Sequence, residues 1–307
     1  MAIKKRKRSC KPSVVIIGGG RIGCAIGKIV ARKGIKPLFW DIEPTKTPHR
    51  KPLAEIVPSA DFLFLCTPSW ALPDVLAGIR PHVVKTTVVI SLAKGICGER
   101  RNTVDELLER FLPDHQPFAL LSGPMLAEEL SKGLAGIGVV ATARKAIYRK
   151  TALLFHGTNL LVEYSANVRG VALSGVLKNI YALALGIADG LKWGSNQKGW
   201  LIAKALREMT KIEQRLGDSK DTVSGTAGLG DLVATGFSPY SRNRQAGEEL
   251  IKTGRANKSE GMSALTSVLF LLKEKKSELP LLLALEEAVI KRQPAKIVFE
   301  RLQSFND

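Results

Sequence analysis

The chain has 307 residues, enough for two domains with a core each, and carries 46 Lys plus Arg against 28 Asp plus Glu, a formal charge of +18. A hydrophobic share of 45% with 24% charged residues excludes wholesale disorder. Four cysteines, at 10, 24, 66 and 97, lack the spacing of a disulfide framework or a metal site and fit a reducing compartment, here read as the cytoplasm.

The charge begins at once. Lys4, Lys5, Arg6, Lys7, Arg8 and Lys11 precede residue 12 with no acid among them, and residues 1–12 read as a basic tail. Residues 1–150 hold 25 basic and 12 acidic side chains, and 151–307 hold 21 and 16, so the remaining excess is diffuse. Such a charge invites nucleic acid or an anionic membrane as partners, and it also suits electrostatic steering of phosphorylated small molecules.

From residue 13 to 165, apolar β-rich runs alternate with helical patterns. Strands are expected at Val14–Ile17, Lys36–Trp40, Asp61–Cys66, Thr87–Leu92, Phe118–Leu121, Ile137–Ala141 and Leu160–Glu163. Helices are expected at Ile22–Lys33, Ala71–Ile79, Thr103–Phe111 and Met125–Ser131. This alternation predicts an α/β, Rossmann-like, mostly parallel sheet domain. Val14-Val-Ile-Ile-Gly18-Gly-Gly20-Arg-Ile-Gly23 joins the first strand to the first helix in a G-x-G-x-x-G pattern. Gly18 allows a tight turn, Gly20 lets backbone approach a pyrophosphate, and Gly23 lets helix pack on strand. Asp41 ends the second strand 18 residues beyond Gly23, where an acid binds a ribose 2′-hydroxyl and repels a 2′-phosphate. NAD is therefore the expected cofactor; Lys46, Arg50 and Lys51 nearby keep NADP compatible.

Lys94 lies just past the fourth strand, at the end of the sheet where ligands sit, although a solvated loop lysine would look the same. The four histidines, at 49, 82, 115 and 156, end no strand beside a glycine turn and read as ordinary polar residues. From 166 to 307 the strand signal stops, and an all-helical C-terminal domain is expected: Val168–Asp189, Gln197–Leu216, Ser241–Lys252, Gly261–Lys275 and Leu281–Arg292. The stretch Val171–Ala188 carries only Lys178 as a charge and reads as a buried helix rather than a membrane span. Lys178 shares a helical face with Val171, Ser174, Gly175, Tyr181, Ala182 and Leu185. Desolvation there lowers a lysine pKa and suits it to proton transfer, unless it serves in a structural ion pair. The neighbouring Asn179 offers an amide for substrate oxygens. Ala227-Gly-Leu-Gly-Asp231-Leu presents one acid on a glycine-rich turn. Ser241 caps a helix opening with Arg242 and Asn243, a pattern suited to phosphate and equally to an ordinary capped helix.

Taken together, these segments resemble the soluble bacterial type of NAD(P)-dependent glycerol-3-phosphate dehydrogenase. The similar stretches are Gly18–Gly23, Lys94-Gly95-Ile96, Leu121-Ser-Gly-Pro124, Gly175-Val-Leu-Lys178-Asn179, Gly186-Ile-Ala-Asp189-Gly190, Ala227–Leu232, Ser241-Arg-Asn-Arg244 and Glu260, in family order. The resemblance implies reduction of dihydroxyacetone phosphate to sn-glycerol 3-phosphate for phospholipid synthesis. Lys178 would be proton donor and acceptor. Lys94 would contact substrate oxygen and cofactor and hold the Lys178 pKa down. Asp231 would orient Lys178 and a substrate hydroxyl. Ser241, Arg242 and Asn243 would bind phosphate, with Asn179 alongside and Arg242 also near the cofactor. Gly123 matches a substrate position, and Ala127 and Glu260 match cofactor positions, as do Arg21 and Ile22, which replace a Ser/Asn–aromatic pair. The resemblance also implies a homodimer.

Three departures stand out. Met125 takes the place of Ser or Thr, the stretch between Trp40 and Ser59 is short, and the usual arginine beyond the second strand is absent, in agreement with Asp41. Two other readings remain on the sequence. One is a β-hydroxyacid dehydrogenase of the same plan, which Ser241–Asn243 argues against. The other is a non-catalytic nucleotide- or nucleic-acid-binding scaffold supported by the basic run; no specific nucleic acid is expected.

Overall fold

A computed structural model of the chain describes residues 11–47, 51–98, 100–217 and 221–304. The basic residues Lys4–Arg8, as well as Cys10, His49 and Arg50, lie outside them. The order is β1 (Val14–Ile17), α1 (Arg21–Ala31), β2 (Leu38–Trp40), α2 (Leu53–Ile56), β3 (Phe62–Leu65), α3 (Leu72–Ile79), β4 (Val88–Ser91), β5 (Ile96–Cys97), β6 (Asn102–Thr103), α4 (Val104–Phe111), β7 (Phe118–Ser122), α5 (Ala127–Ser131), β8 (Gly136–Ala141), α6 (Lys145–Phe155) and β9 (Leu160–Ser165). Helices follow: α7 (Val168–Gly190), α8 (Ser195–Leu216), α9 (Asp231–Phe237), α10 (Arg242–Thr253), α11 (Glu260–Leu272), α12 (Pro280–Leu285) and α13 (Ala295–Ser304).

Seven strands form one sheet in the order β2-β1-β3-β4-β7-β8-β9, parallel throughout except for β7 against β8. Register aligns the strand ends: Ile17 opposes Trp40 and Leu65, and Leu65 opposes Ser91. The chain therefore leaves β1, β2, β3, β4 and β7 along one rim. Alternation splits the apolar residues between two faces. Val14, Ile16, Phe62, Phe64 and Ile90 meet α1, α5 and α6, while Val15, Ile17, Leu63, Leu65 and Val89 meet α2, α3, α4 and the start of α7. The strand order reverses between β1 and β3, which puts a ligand-binding crevice at their carboxyl ends.

Helix α7 is the axis of the helical part. Asn167 caps it through Gly170 N–H (2.9 Å), and residues 170–188 are all buried. It is the described helix long and apolar enough to cross a membrane, and α8–α12 bury it instead. Helix α10 lies against it through glycine: a Cβ on Gly186 would overlap the Arg244 carbonyl, and one on Gly247 the Leu183 carbonyl. Gly186→Ala is expected to cost roughly 1–3 kcal/mol and to lower Tm, because the obstacle it meets, the Arg244 carbonyl, is backbone. An unchanged melting curve would contradict this close packing.

The observed bounds differ from the expected ones where local chemistry intervenes. The second strand starts at Leu38 rather than Lys36, since Pro37 has no N–H to pair. The helix expected to reach Lys275 stops at Leu272, with Lys273 at φ +50°. The one expected over Leu281–Arg292 is α12 followed by a wider π-type turn at Glu286–Ile290. Helix α6 and the β5–β6 hairpin were not legible as periodic runs.

Candidate functional site

The glycine turn stands at the mouth of the crevice. Gly18 has φ +106°, and a Cβ there would lie 2.5 Å from the Cys66 carbonyl oxygen, so only glycine fits without strain. A Cβ on Gly23 would overlap the Gly18 carbonyl, whereas around Gly20, the N-cap of α1, there is open space. Gly20 offers no side chain to cap the first turn of α1, which leaves those N–H groups and the positive helix end for an anion. Asp41 is buried beside the turn and accepts hydrogen bonds from Gly19 N (2.7 Å) and Glu43 N (2.9 Å). The Thr67 hydroxyl, at the end of β3, is buried without a partner. A glycine cradle, a helix N-terminus and an acid at the end of β2 are a donor set that fits a dinucleotide. Arg21 pairs with Glu128, next to Ala127 at the start of α5, and Ile22 packs onto the sheet. Lys46 lies against Gly19 and pairs with Glu43 at 2.8 Å, and Lys51 pairs with Glu55.

Farther along the same rim, two lysines converge on one acid. Lys178 Nζ stands 3.2 Å from Asp231 Oδ1, and Lys94 Nζ stands 2.6 Å from Asp231 Oδ2 and donates to the Gly123 carbonyl at 3.2 Å. Gly123 has φ +116°, which turns that carbonyl toward Lys94. Gly175 leaves room for the Lys94 stem against α7, where a Cβ would stand 3.2 Å from Lys94 Cγ. Burial is the main force on Lys178 and lowers its pKa to about 8; Asp231 resists that fall and Lys94 reinforces it. For Asp231, burial pushes the carboxyl up, but the two ammonium groups outweigh it and the net direction is down.

A second network adjoins the first. Asn179 Nδ2 donates to Glu260 Oε2 (3.3 Å), Asn243 Nδ2 donates to Asn179 Oδ1 (2.9 Å), and Gly261 N donates to Asn243 Oδ1 (2.9 Å). This ties α7, α10 and α11 together at the level of Lys178. Burial raises the Glu260 carboxyl despite the opposing charges of Lys178, Lys94 and Arg242. Ser241 is buried and caps α10 through Arg244 N (3.2 Å), while Arg242, the first residue of that helix, is exposed. The expected residues thus gather in two groups on one rim: Gly18, Gly20, Arg21, Ile22, Gly23, Asp41 and Ala127 in one, Lys94, Gly123, Lys178, Asn179, Asp231, Ser241, Arg242, Asn243 and Glu260 in the other.

Sequence reading missed three contributors. Thr235 accepts from Lys178 Nζ at 2.8 Å and donates to Asp231 Oδ1 at 3.1 Å; its only sequence signal is the i+4 spacing from Asp231. Arg244 pairs with Asp189 at 2.5 Å and so fixes the first turn of α10 against α7. The Ser122 hydroxyl is buried without a partner at the end of β7, close to Gly175. Met125, which stands where a hydroxyl was expected, is buried in the sheet core with its sulfur against Gly138. His82, His115 and His156 are absent from both groups, and no cluster of metal-ligating side chains occurs among the described residues.

Comparison with known proteins identifies the family. The family model of the NAD-dependent glycerol-3-phosphate dehydrogenase N-terminus matches residues 44–147, and that of its C-terminus matches residues 167–300. A glycerol-3-phosphate dehydrogenase [NAD(P)+] of Sphingopyxis alaskensis is 35% identical over 260 residues, covering 78% of each chain. One from Thermobifida fusca is 33% identical over 303 residues, covering 87% of this chain and 89% of its own. The crystal structure of glycerol-3-phosphate dehydrogenase from Coxiella burnetii superposes with a TM-score of 0.84 at 26% identity, covering 96% of this chain and 99% of that one.

Proposed function

The chain belongs to the NAD-dependent glycerol-3-phosphate dehydrogenase family and is a nicotinamide-dependent oxidoreductase, and from that premise we propose that its two-lysine cleft interconverts dihydroxyacetone phosphate and sn-glycerol 3-phosphate. The observation that carries this reading is a lysine in the middle of a buried helix, 3.2 Å from an acid shared with a second lysine, beside the N-terminus of α10. We divide the chain at about residue 165 into a dinucleotide domain and a substrate domain, with residues 1–12 as a tail.

A nicotinamide held in the cleft would supply or take the hydride at its C4. The chain's own residues do the rest. In reduction, the Lys178 ammonium gives its proton to the oxygen that gains charge at substrate C2, and the neutral amine takes it back in oxidation. Lys94 holds that oxygen by charge and keeps the Lys178 pKa low. Asp231, with Thr235, fixes the direction of the Lys178 Nζ. The N–H groups of α10 at Ser241–Asn243 and the Arg242 guanidinium take the substrate phosphate. Gly18, Gly20 and Gly23 would hold the dinucleotide pyrophosphate, with Arg21, Ile22 and Ala127 beside it and Asp41 for the ribose, and Arg242 and Glu260 would meet the cofactor from the lysine group.

The decisive assay is NADH oxidation with dihydroxyacetone phosphate. Turnover of a 2- or 3-hydroxyacid with none on dihydroxyacetone phosphate would overturn the choice. Lys94→Met supplies a pH test. Removing that positive neighbour lets the Lys178 pKa rise, so the alkaline limb of the reduction profile, expected near pH 8 in the parent, moves to higher pH. A limb that stays put or moves to lower pH contradicts the role of Lys94. Asp41→Ser is expected to raise the efficiency ratio of NADPH to NADH by about tenfold, or about 1.4 kcal/mol; an unchanged ratio removes Asp41 as the selector.

Family likeness also supports a homodimer, a cytoplasmic setting and a role in supplying the phospholipid backbone. The run Lys4–Lys11 supports weak attraction to anionic membranes.

A further inference from the structure

Two stretches of the sequence hold no acid. Residues 1–40 carry 11 basic side chains, and residues 130–162 carry five more. They are far apart along the chain, yet the fold lays them side by side. Helices α1 and α6 cover the same face of the sheet, through Ile26, Ile29 and Val30 on one and Ile147, Leu154 and Phe155 on the other. Lys33 Nζ donates to the His156 carbonyl (2.8 Å), Arg32 Nη1 donates to Asn159 Oδ1 (2.6 Å), and Lys11 Nζ reaches the Gly34 carbonyl (3.4 Å). The outer surface of this layer exposes Lys28, Arg32, Lys33, Lys36, Arg149 and Lys150. The first acid beyond it in sequence, Glu163, stands on the edge strand β9.

We propose that the α1–α6 face docks on an anionic lipid bilayer. Charge complementarity is the first reason: α1 and α6 hold no acid, and of the two acids that α5 brings to the same side of the sheet, Glu128 is paired with Arg21, so the basic positions of the layer outnumber its acids and attract a negative surface. Second, Leu153 is 69% exposed in the same turn of α6 as Lys150, and the Lys33 ammonium donates to the Leu153 carbonyl (3.4 Å). An apolar side chain set among cations fits the boundary between headgroup and acyl chain. A single-stranded nucleic acid would ask for aromatic side chains on which to stack bases, but Tyr148 and Tyr164 are packed on one another (5.1 Å) and only partly exposed. Third, the chain meets this layer at Lys11, against Gly34, and the sequence just before it carries five further positive charges, Lys4–Arg8. Docking leaves the cleft open. Lys28 to Lys33 lie about 10–18 Å along α1 from its N-terminal glycine turn, and the cleft opens at the rim of the sheet, not on this face.

The test is co-sedimentation of the full chain with vesicles of phosphatidylcholine alone and of phosphatidylcholine with phosphatidylglycerol. The parent should bind the mixed vesicles, release in high salt, and ignore the neutral ones. The variant Lys28→Gln/Arg149→Gln/Lys150→Gln, whose side chains are exposed, keeps Lys4–Arg8. At about fivefold per charge, it should partition about 10²-fold more weakly, with dihydroxyacetone phosphate reduction and Tm unchanged. Leu153→Asn should weaken the salt-resistant part of binding. The proposal is overturned if the triple variant binds like the parent while replacement of Lys4–Arg8 by Gln abolishes binding. It is equally overturned if neutral vesicles bind as well, or if duplex DNA or RNA at the same ionic strength is bound more tightly than the vesicles. Catalysis is read separately in each variant, so failure of the surface and failure of the enzymatic reading remain distinct.

Discussion

Lys178→Met is expected to lower turnover of dihydroxyacetone phosphate by about 10²–10⁴-fold, the range for a positioned acid, while NADH binding, followed by fluorescence, stays close to that of the parent. Methionine keeps the aliphatic stem in its buried slot on α7 and removes only the ammonium. Asp231 retains Lys94 at 2.6 Å, so no bare charge is left in the interior. The fold should therefore survive, and a melting curve checks it. The loss should fall on kcat more than on KM, because the proton is needed as charge develops and the phosphate is proposed to be held elsewhere, at Ser241–Asn243. The pH profile separates chemistry from packing. In the parent, reduction should fall as pH rises through about 8, as Lys178 loses its proton, and oxidation should rise through the same region. Residual activity of the variant should lack that limb. Turnover within a few-fold of the parent, or a limb near 8 that survives the substitution, would remove Lys178 from the mechanism.

Asp231→Asn is the second large effect and acts through charge rather than contact. The amide keeps the shape but removes the one carboxylate that both lysines share. Two ammonium groups would then face each other in a buried site, a loss of the kind that costs about 3–5 kcal/mol when a charge is left unpaired. Lys178 can relieve most of it by giving up its proton, since Asp231 is what holds its pKa up against burial. The direction follows: the pKa falls below about 8, less of the amine is protonated at pH 7, and proton donation weakens. Reduction at neutral pH should drop by roughly 10²-fold, and its pH profile should move to the acid side, opposite to Lys94→Met. Thr235→Val should give a smaller loss, with Lys178 still paired but free to turn. An Asp231→Asn profile that keeps its parental limb would show that the carboxylate does not set the Lys178 charge.

The dinucleotide half was legible because it is local. A buried strand, three glycines, a helix and an acid at the end of the next strand follow from a single stretch of about 30 residues, and the register of β1, β2 and β3 brings them to one rim. Lys178 was legible as one charge in a long apolar helix. Thr235 was not, for it is an ordinary helical residue until α9 packs against α7. Met125 was legible as a departure, and the structure gives its outcome: the side chain fills the sheet core against Gly138 and offers the cleft no hydroxyl. Arg244 was legible within a motif but not as the partner of Asp189 that anchors α10.

The sequence alone determined the seven strands of the sheet and most of the longer helices, the glycine turn, a lysine rather than a histidine as the candidate for proton transfer, and the excess of positive charge. Periodicity and glycine placement are properties of neighbours along the chain, so no folded structure is needed to read them. Only the tertiary structure decided which distant groups share an acid, why Lys178 titrates near 8, and where the charge collects. Lys94 and Asp231 are 137 residues apart and meet at 2.6 Å, and the two acid-free stretches meet on one face because α1 and α6 cover the same side of the sheet. Burial and Coulomb interaction depend on distance in space, and the sheet order, not the sequence, sets those distances.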